Sequence, residues 1–256
     1  MMFTIQQYTE VFHLLFLRHL ENKLPKHLYA LKGGCNLRFF FKSIRYSEDI
    51  DLDIKTVAKD TLRTQITKLL KSSLFSQTLH SKGIEISHLS FAKQTDTTQR
   101  WKLQLRVSGH TAYLPTKIEF SRRNMEGKTL FESIDTELIR TYQLYPILVN
   151  HYAIETAFFQ KIEALIHRTE TQARDIFDLK LLLDQGDKPR SLPQKLKIKI
   201  DQAIENITTV NFAGFKGQVV AYLLVDYQNH YRSPKVWNEI QNAVVHMLKE
   251  FKNEVD

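Results

Sequence analysis

One cysteine, Cys35, stands among 256 residues. A lone thiol excludes an internal disulfide framework and a cysteine-based zinc site, and it suits a reducing cytoplasm. No run of about 18 apolar residues is present, so no membrane span is expected. The N-terminus lacks the charged-then-apolar pattern of an export signal, so no export is expected either. Internal repeats and low-complexity segments are also missing. What remains is an ordinary globular composition, 43% hydrophobic, in a chain long enough for one large domain or two modest ones. Negative charge is in deficit: the formal net charge is +8 and the pI about 9.4. That balance favours a polyanionic partner.

The chemistry concentrates in residues 31–54, LKGGCNLRFFFKSIRYSEDIDLDI. The end of this stretch alternates with period two. Ile50, Leu52 and Ile54 fall on one face of a strand, and Asp49, Asp51 and Asp53 on the other. Asp is a poor strand residue, and three carboxylates on one face repel each other unless a cation sits between them. Hard divalent cations take such oxygen ligands. Residues two apart on a strand are about 6.5–7 Å apart, close enough to bend toward one shared ion or to bracket two. The upstream pair Gly33-Gly34 lets the backbone approach a phosphate and expose amide N–H groups to it. The pattern thus fits a nucleotide-phosphate and magnesium site. It also fits a turn followed by an acidic edge strand that resists aggregation.

Around this stretch the periodicities predict an α+β chain. Helices are expected over residues 3–22, 36–41 and 60–76, with a short strand or turn at 28–32. His13 and His19 read as core or surface residues of the first helix. Strands are expected at 84–92, 101–107 and 114–121, the middle one half-buried with Lys102, Gln104 and Arg106 outward. Lys117 and Glu119 share one face of the last strand, and Glu119 there has Lys117 or Arg122 as potential ion-pair partners. Arg122 and Arg123 read as a solvated basic loop or as contacts for an RNA backbone.

The C-terminal part reads as helical. Residues 154–167 form one helix with Lys161 beside its apolar face, where a lysine can snorkel outward or aim inward at a phosphate. Residues 174–185 form the next, and Gly186 fits its C-cap. Arg174, Asp175 and Asp178 lie three and four apart, which alone would be a helix-surface ion pair. Helices are also expected over 194–207 and 235–251. Tyr222, Tyr227, Tyr231 and Trp237 suit a core more readily than base stacking.

Two groups of residues carry a family resemblance. Lys32-Gly33-Gly34-Cys35-Asn36-Leu37-Arg38 with Arg45-x-Ser47-x-Asp49-x-Asp51 resembles the first motif of AbiEii-type nucleotidyltransferases, within the DNA polymerase β-like nucleotidyltransferase superfamily. Lys161 and Arg174-Asp175-Ile176-Phe177-Asp178-Leu179 resemble the later motifs, in the right order. The resemblance spans residues 30–185. It implies Asp49 and Asp51 as metal-binding catalytic residues, with Glu119 as third metal ligand and Asp53 as its competitor. It implies a catalytic Lys161 and Asp178, the latter orienting Lys161 or acting as a base. It also implies nucleotide contacts from Gly33, Gly34, Arg38, Ser47 and Arg174. Ser47 fits a phosphate contact or a cap at the start of the strand, and the resemblance favours the phosphate.

The fold expected is a polymerase β-like nucleotidyltransferase domain, a short mixed sheet flanked by helices, over residues 1–146. A helical domain over 147–256 is expected to contribute to the active-site cleft. The activity implied is transfer of a nucleoside monophosphate from an NTP to an acceptor hydroxyl with Mg2+ or Mn2+. The acceptor implied is RNA such as the tRNA 3′ end, and a toxin-like role implies a cognate antitoxin. The competing readings are an enzyme of the same fold that modifies a protein or small molecule, and a non-catalytic nucleic-acid-binding module.

Overall fold

A computed structural model describes residues 3–123, 125–186 and 188–253. The chain divides into two compact units. The first comprises the chain up to Lys42 together with Tyr46–Tyr152, and the second comprises Ser43–Arg45 together with everything from Ala153 onward. The division falls after Tyr152 rather than at Pro146, because the segment between them is a strand of the first unit's sheet.

In chain order the first unit contains α1 (Ile5–Leu20), β1 (Tyr29–Lys32), α2 (Gly33–Phe40), β2 (Ile50–Ile54), α3 (Lys59–Leu70), α4 (Ser73–His80), β3 (Ile84–Gln94), β4 (Thr98–Val107), β5 (Leu114–Ser121), β6 (Thr129–Ser133), α5 (Thr136–Thr141) and β7 (Leu148–Tyr152). The strands make one sheet in the order β3-β4-β5-β2-β1-β7-β6. It is mixed: β2 runs parallel to β5 and β1 to β7, and the other neighbours are antiparallel.

Side chains cap the starts of α1, α4 and α5 in this unit. Thr4 and Gln7 form a reciprocal capping box ahead of α1. Its apolar residues then bury Val11, Phe12, Leu15 and Phe16 almost completely. They pack with Leu62, Ile66, Phe75 and Leu79 of α3 and α4 against the sheet face formed by Leu31, Ile50, Leu52, Trp101, Ile118 and Phe120. Each such side chain contributes about 1.5–3 kcal/mol of burial free energy. The opposite face carries Lys32 of β1, Asp51 and Asp53 of β2, and Lys117 and Glu119 of β5.

The helix expected over residues 60–76 is two helices. Ser72 accepts the N–H of Phe75 at 3.2 Å and starts α4 anew. As a result Phe75 is fully buried and Leu74 is 64% exposed, the reverse of what one continuous helix would give.

The second unit is helical: α6 (Ile154–His167), α7 (Ala173–Asp184), α8 (Gln194–Lys197), α9 (Ile200–Thr208), α10 (Phe212–Gln218), α11 (Val225–Tyr231) and α12 (Pro234–Asn253). The helix expected over 194–207 breaks at Ile198 and Lys199. Trp237 is a core residue, stacked on Phe215 at 4.4 Å with its indole N–H donated to the Val210 carbonyl. Tyr231 meets Phe177 edge-on. The short segment Ser43–Arg45 joins this unit through a bridge from Arg45 to Leu223 and a hydrogen bond from the Leu224 N–H to the Ile44 carbonyl.

Candidate active site

The polar sheet face of the first unit carries a row of four charges on four adjacent strands. Lys32 on β1 is the register partner of Asp51 on β2. Asp51 partners Glu119 on β5, and Glu119 partners Arg100 on β4. The order is cation, acid, acid, cation, and neighbouring strands lie about 4.8 Å apart. The inner pair is therefore held close by the backbone itself. Asp49 stands just before β2, its Oδ2 2.6 Å from the Lys117 ammonium and its Oδ1 accepting the Lys117 backbone N–H. Glu119 pairs with Arg100 at 2.6 Å, not with Lys117 or Arg122. Arg122 instead donates to Gln99 Oε1 and to the Val57 carbonyl. Arg123 is exposed.

Among the described residues Asp51 has no such dedicated partner. Burial raises its pKa above the usual carboxylate value, and Asp49 and Glu119 push it further up against the opposing pull of Lys117 and Lys32. A backbone glycine presses on the same carboxylate. Gly33 opens α2 with φ +67°, and a Cβ there would lie 3.1 Å from Asp51 Oδ2. Only glycine fits that conformation and that contact without strain.

The segment leading into β2 is clamped from below. Ser47 donates its hydroxyl proton to the Asp49 carbonyl at 2.8 Å, and the Cys35 thiol reaches the same oxygen at 3.3 Å. Ser47 thus caps the start of the strand. Thr116 donates to the Glu48 carbonyl at 2.7 Å, so its oxygen is left to accept from His13 Nε2 at 2.8 Å. His13 is a buried support in this chain of bonds. Burial lowers its pKa to about 3, which keeps it neutral. Asn36 donates to the Tyr152 carbonyl at 2.9 Å and accepts from His151 Nδ1, tying α2 to β7. Arg38 points to a buried acid of α1, Glu10, at 2.7 Å, and stacks over Tyr46.

In the second unit the later motif residues form one buried, charge-alternating chain. Arg45 donates to both oxygens of Asp178, from Nε at 3.2 Å and from Nη2 at 2.9 Å. The Lys161 ammonium lies 2.6 Å from Asp178 and 2.9 Å from Asp175, and Arg168 lies 2.8 Å from Asp175. Asp178 is fully buried and Asp175 nearly so. Burial would raise the Asp178 pKa, but Arg45 and Lys161 overcome it and hold the carboxyl at about 2. Burial would likewise discharge Lys161, but Asp175 and Asp178 outweigh it and keep its pKa above the ordinary lysine value. Lys161 has two acid partners for three protons.

Arg174 does not join the chain of ion pairs. Its neighbours Asp175 and Asp178 are taken by Lys161, Arg168 and Arg45, so the local pair suggested by their spacing does not form. Arg174 is half-buried and has no ion-pair partner among the described residues. Arg45 and Arg168 were hard to place from the sequence, since each belongs to an acid distant in the chain or on another helix.

The described residues thus bring Gly33, Asp49, Asp51 and Glu119 together in the first unit, and Lys161 and Asp178 in the second. The mixed sheet with its acidic pair, followed by a helical unit, is the architecture of a nucleotidyltransferase. The chain belongs to the AbiEii nucleotidyltransferase toxin family: the family model described as "Nucleotidyl transferase AbiEii toxin, Type IV TA system" matches residues 15–233.

Solved structures share the fold along the whole chain. A putative nucleotidyltransferase from Helicobacter pylori is 18% identical with a TM-score of 0.67, covering 100% of each chain. JHP933 from Helicobacter pylori is 17% identical with a TM-score of 0.65, over 98% of this chain and 95% of that one. MenT4, the nucleotidyltransferase toxin Rv2826c from Mycobacterium tuberculosis H37Rv, is 13% identical with a TM-score of 0.61, over 97% and 94%. At these identities the likeness is one of fold. No curated protein matches the sequence. Among the described residues no helix is long and apolar enough to cross a membrane.

Proposed function

We propose that the protein transfers a nucleoside monophosphate from an NTP to a hydroxyl of RNA, with the tRNA 3′ end as the acceptor to test first, and that a cognate antitoxin restrains it. The observation that supports this best is the register pairing of Asp51 with Glu119, with Asp49 beside them and Gly33 against Asp51. The basic balance of the chain agrees with an RNA acceptor.

The donor set fits a hard divalent cation, Mg2+ or Mn2+. It is all carboxylate, and Asp51, whose pKa is raised chiefly by burial, shares its place with the acids Asp49 and Glu119. Among the described residues no three of His, Cys, Asp and Glu stand together as a metal-binding group, and Lys117 and Arg100 hold Asp49 and Glu119. Asp49 and Asp51 would hold the ion, with Glu119 as third ligand once Arg100 lets go. Such an ion, when bound, supplies charge neutralisation at the phosphoryl oxygens and a lower pKa for the attacking hydroxyl.

The chain's own residues do the remaining work. Gly33 and Gly34 offer the amide end of α2 to the phosphates. Ser47 reaches a phosphate only by giving up its bond to the Asp49 carbonyl, and Arg38 only by leaving Glu10. Lys161 would supply positive charge for a phosphate, and Arg174, which has no ion-pair partner among the described residues, would supply a second one. Asp178 serves by positioning Lys161. A carboxylate held at a pKa of about 2 with both oxygens engaged is too weak a base to take a hydroxyl proton.

Incubating each labelled NTP with total RNA, wild-type protein and magnesium should label RNA. Asp49→Ala and added chelator should both abolish the signal. Label appearing only on protein, or an undiminished signal from Asp49→Ala, would overturn the reading.

A further inference from the structure

Asp53 is the third acid of the strand pattern, and its surroundings differ from those of the other two. Both of its oxygens are engaged inside the first unit. One is ion-paired with the Lys32 ammonium, and the other accepts the Tyr152 hydroxyl at 2.7 Å. The Asp53 side chain is 7% exposed, whereas Lys32 is 26% exposed. Among the described residues Asp53 is the only hydrogen-bond partner of that ammonium, which leaves two of its three protons without a protein acceptor.

Position adds to this. Lys32 is the residue immediately before Gly33 and opens α2 from the N-cap site. Its backbone sits on the rung of Asp51, yet its side chain reaches one rung along β2 to Asp53. Tyr152 holds Asp53 with its hydroxyl and α2 with its carbonyl, through Asn36. A buried acid spent on a partly exposed lysine is a poor stabilising device, since an apolar pair of similar size serves stability as well or better. It does fix the direction of the lysine.

Resting on the nucleotide site proposed above, we propose that Lys32 binds the triphosphate of the nucleotide, and that Asp53 and Tyr152 are positioning residues that aim its ammonium. Asp53 is then not the third metal ligand, which leaves that place to Glu119. Lys32 acts as a point charge at the same spot where α2 offers its amides, so the lysine and the glycine turn grip one anionic group from two sides.

The test is calorimetry on the full chain, with MgATP, MgCTP, MgGTP, MgUTP and magnesium tripolyphosphate as probes. Tripolyphosphate carries the anion without base or sugar. Lys32→Met and Asp53→Asn should each weaken the best-bound nucleotide and tripolyphosphate about tenfold or more, by loss of one charge-assisted contact. The double variant should bind no worse than the weaker single one, because both remove the same contact. Lys32→Arg should restore part of the affinity. Tyr152→Phe, which keeps shape and charge, should weaken binding by a smaller factor, and it carries the test if Asp53→Asn does not melt cooperatively.

Unchanged affinity in Lys32→Met would overturn the assignment. So would additive losses in the double variant, or an Asp53→Asn protein that regains full nucleotide affinity at higher magnesium, the behaviour of a lost metal ligand. If wild type itself binds none of the five probes, the nucleotide site fails as a whole and this assignment fails with it. That result is distinguishable from a defect confined to the variants.

Discussion

Asp51 and Glu119 face each other across the parallel strands β2 and β5, two acids fixed on one rung by the backbone pairing of Ile50–Asp53 with Ile118–Ser121. Lys32 and Arg100 close the rung on either side. The protein thus holds two like charges together, with Lys32, Lys117 and Arg100 as the counter-charges around them, and the site proposed above would meet the remaining demand with a cation.

Gly33 is where this demand meets the backbone. Gly33→Ala places a methyl 3.1 Å from Asp51 Oδ2 in a residue at φ +67°. The left-handed conformation costs about 1–2 kcal/mol for an L side chain, so the melting temperature should fall modestly. Nucleotide transfer should fall further, by about 10–100-fold, if Asp51 is the metal-binding carboxylate proposed above. Measuring melting and transfer on the same preparation separates the two, and full transfer activity would show that Asp51 tolerates the displacement.

Lys117 is paired with Asp49, so in the proposed site it would compete with a divalent ion. Lys117→Met removes that competitor while keeping the side chain's bulk. Magnesium or manganese should then bind about threefold more tightly, or better still, as read by calorimetry. Weaker binding would mean that Lys117 helps to build the site.

Arg45 holds Asp178 through a two-oxygen fork. Arg45→Met leaves Asp178, a fully buried acid, with Lys161 alone. Breaking a buried pair in this way costs about 3–5 kcal/mol, which urea unfolding should report. Arg45→Lys restores the charge without the fork and should recover only part of the loss.

His13 sets a pH dependence. Its folded pKa is about 3 and its ordinary value 6.5. Between those values the unfolded chain binds a proton that the folded chain refuses, so stability falls as pH drops. The contribution is fully present above pH 6.5 and is lost progressively toward pH 3, with a slope of at most about 1.4 kcal/mol per pH unit. Denaturant titrations at several pH values should show this slope, and His13→Gln should flatten it.

Much of the sheet face was legible because a period-two pattern survives any choice of neighbours. Ile50, Leu52 and Ile54 are buried as the alternation requires, and Lys102, Gln104 and Arg106 are exposed opposite Leu103, Leu105 and Val107. What the pattern could not tell is which strand lies beside β2. The partners of Glu119 and Asp49 follow from the order β4-β5-β2, which no local period encodes. The same limit applies to Lys161. Its acid Asp178 was expected from the motif order, but Asp175 joins it as well, and Arg168 and Arg45 enter from a helix end and from a loop more than a hundred positions upstream. The split of residues 60–76 was readable in principle, since Ser72 is a good N-cap, but the run of leucines on either side of it masked the break.

The loop Ser43–Arg45 makes the helical unit discontinuous in sequence. During synthesis Arg45 leaves the ribosome long before Asp178 exists to receive it, so the charge chain around Lys161 can close only late. A fragment cut at Tyr152 would lack its guanidinium, and expressing the helical half alone should yield a loosened, protease-sensitive product. Adding a synthetic peptide that carries Arg45 would be the simplest way to tighten it.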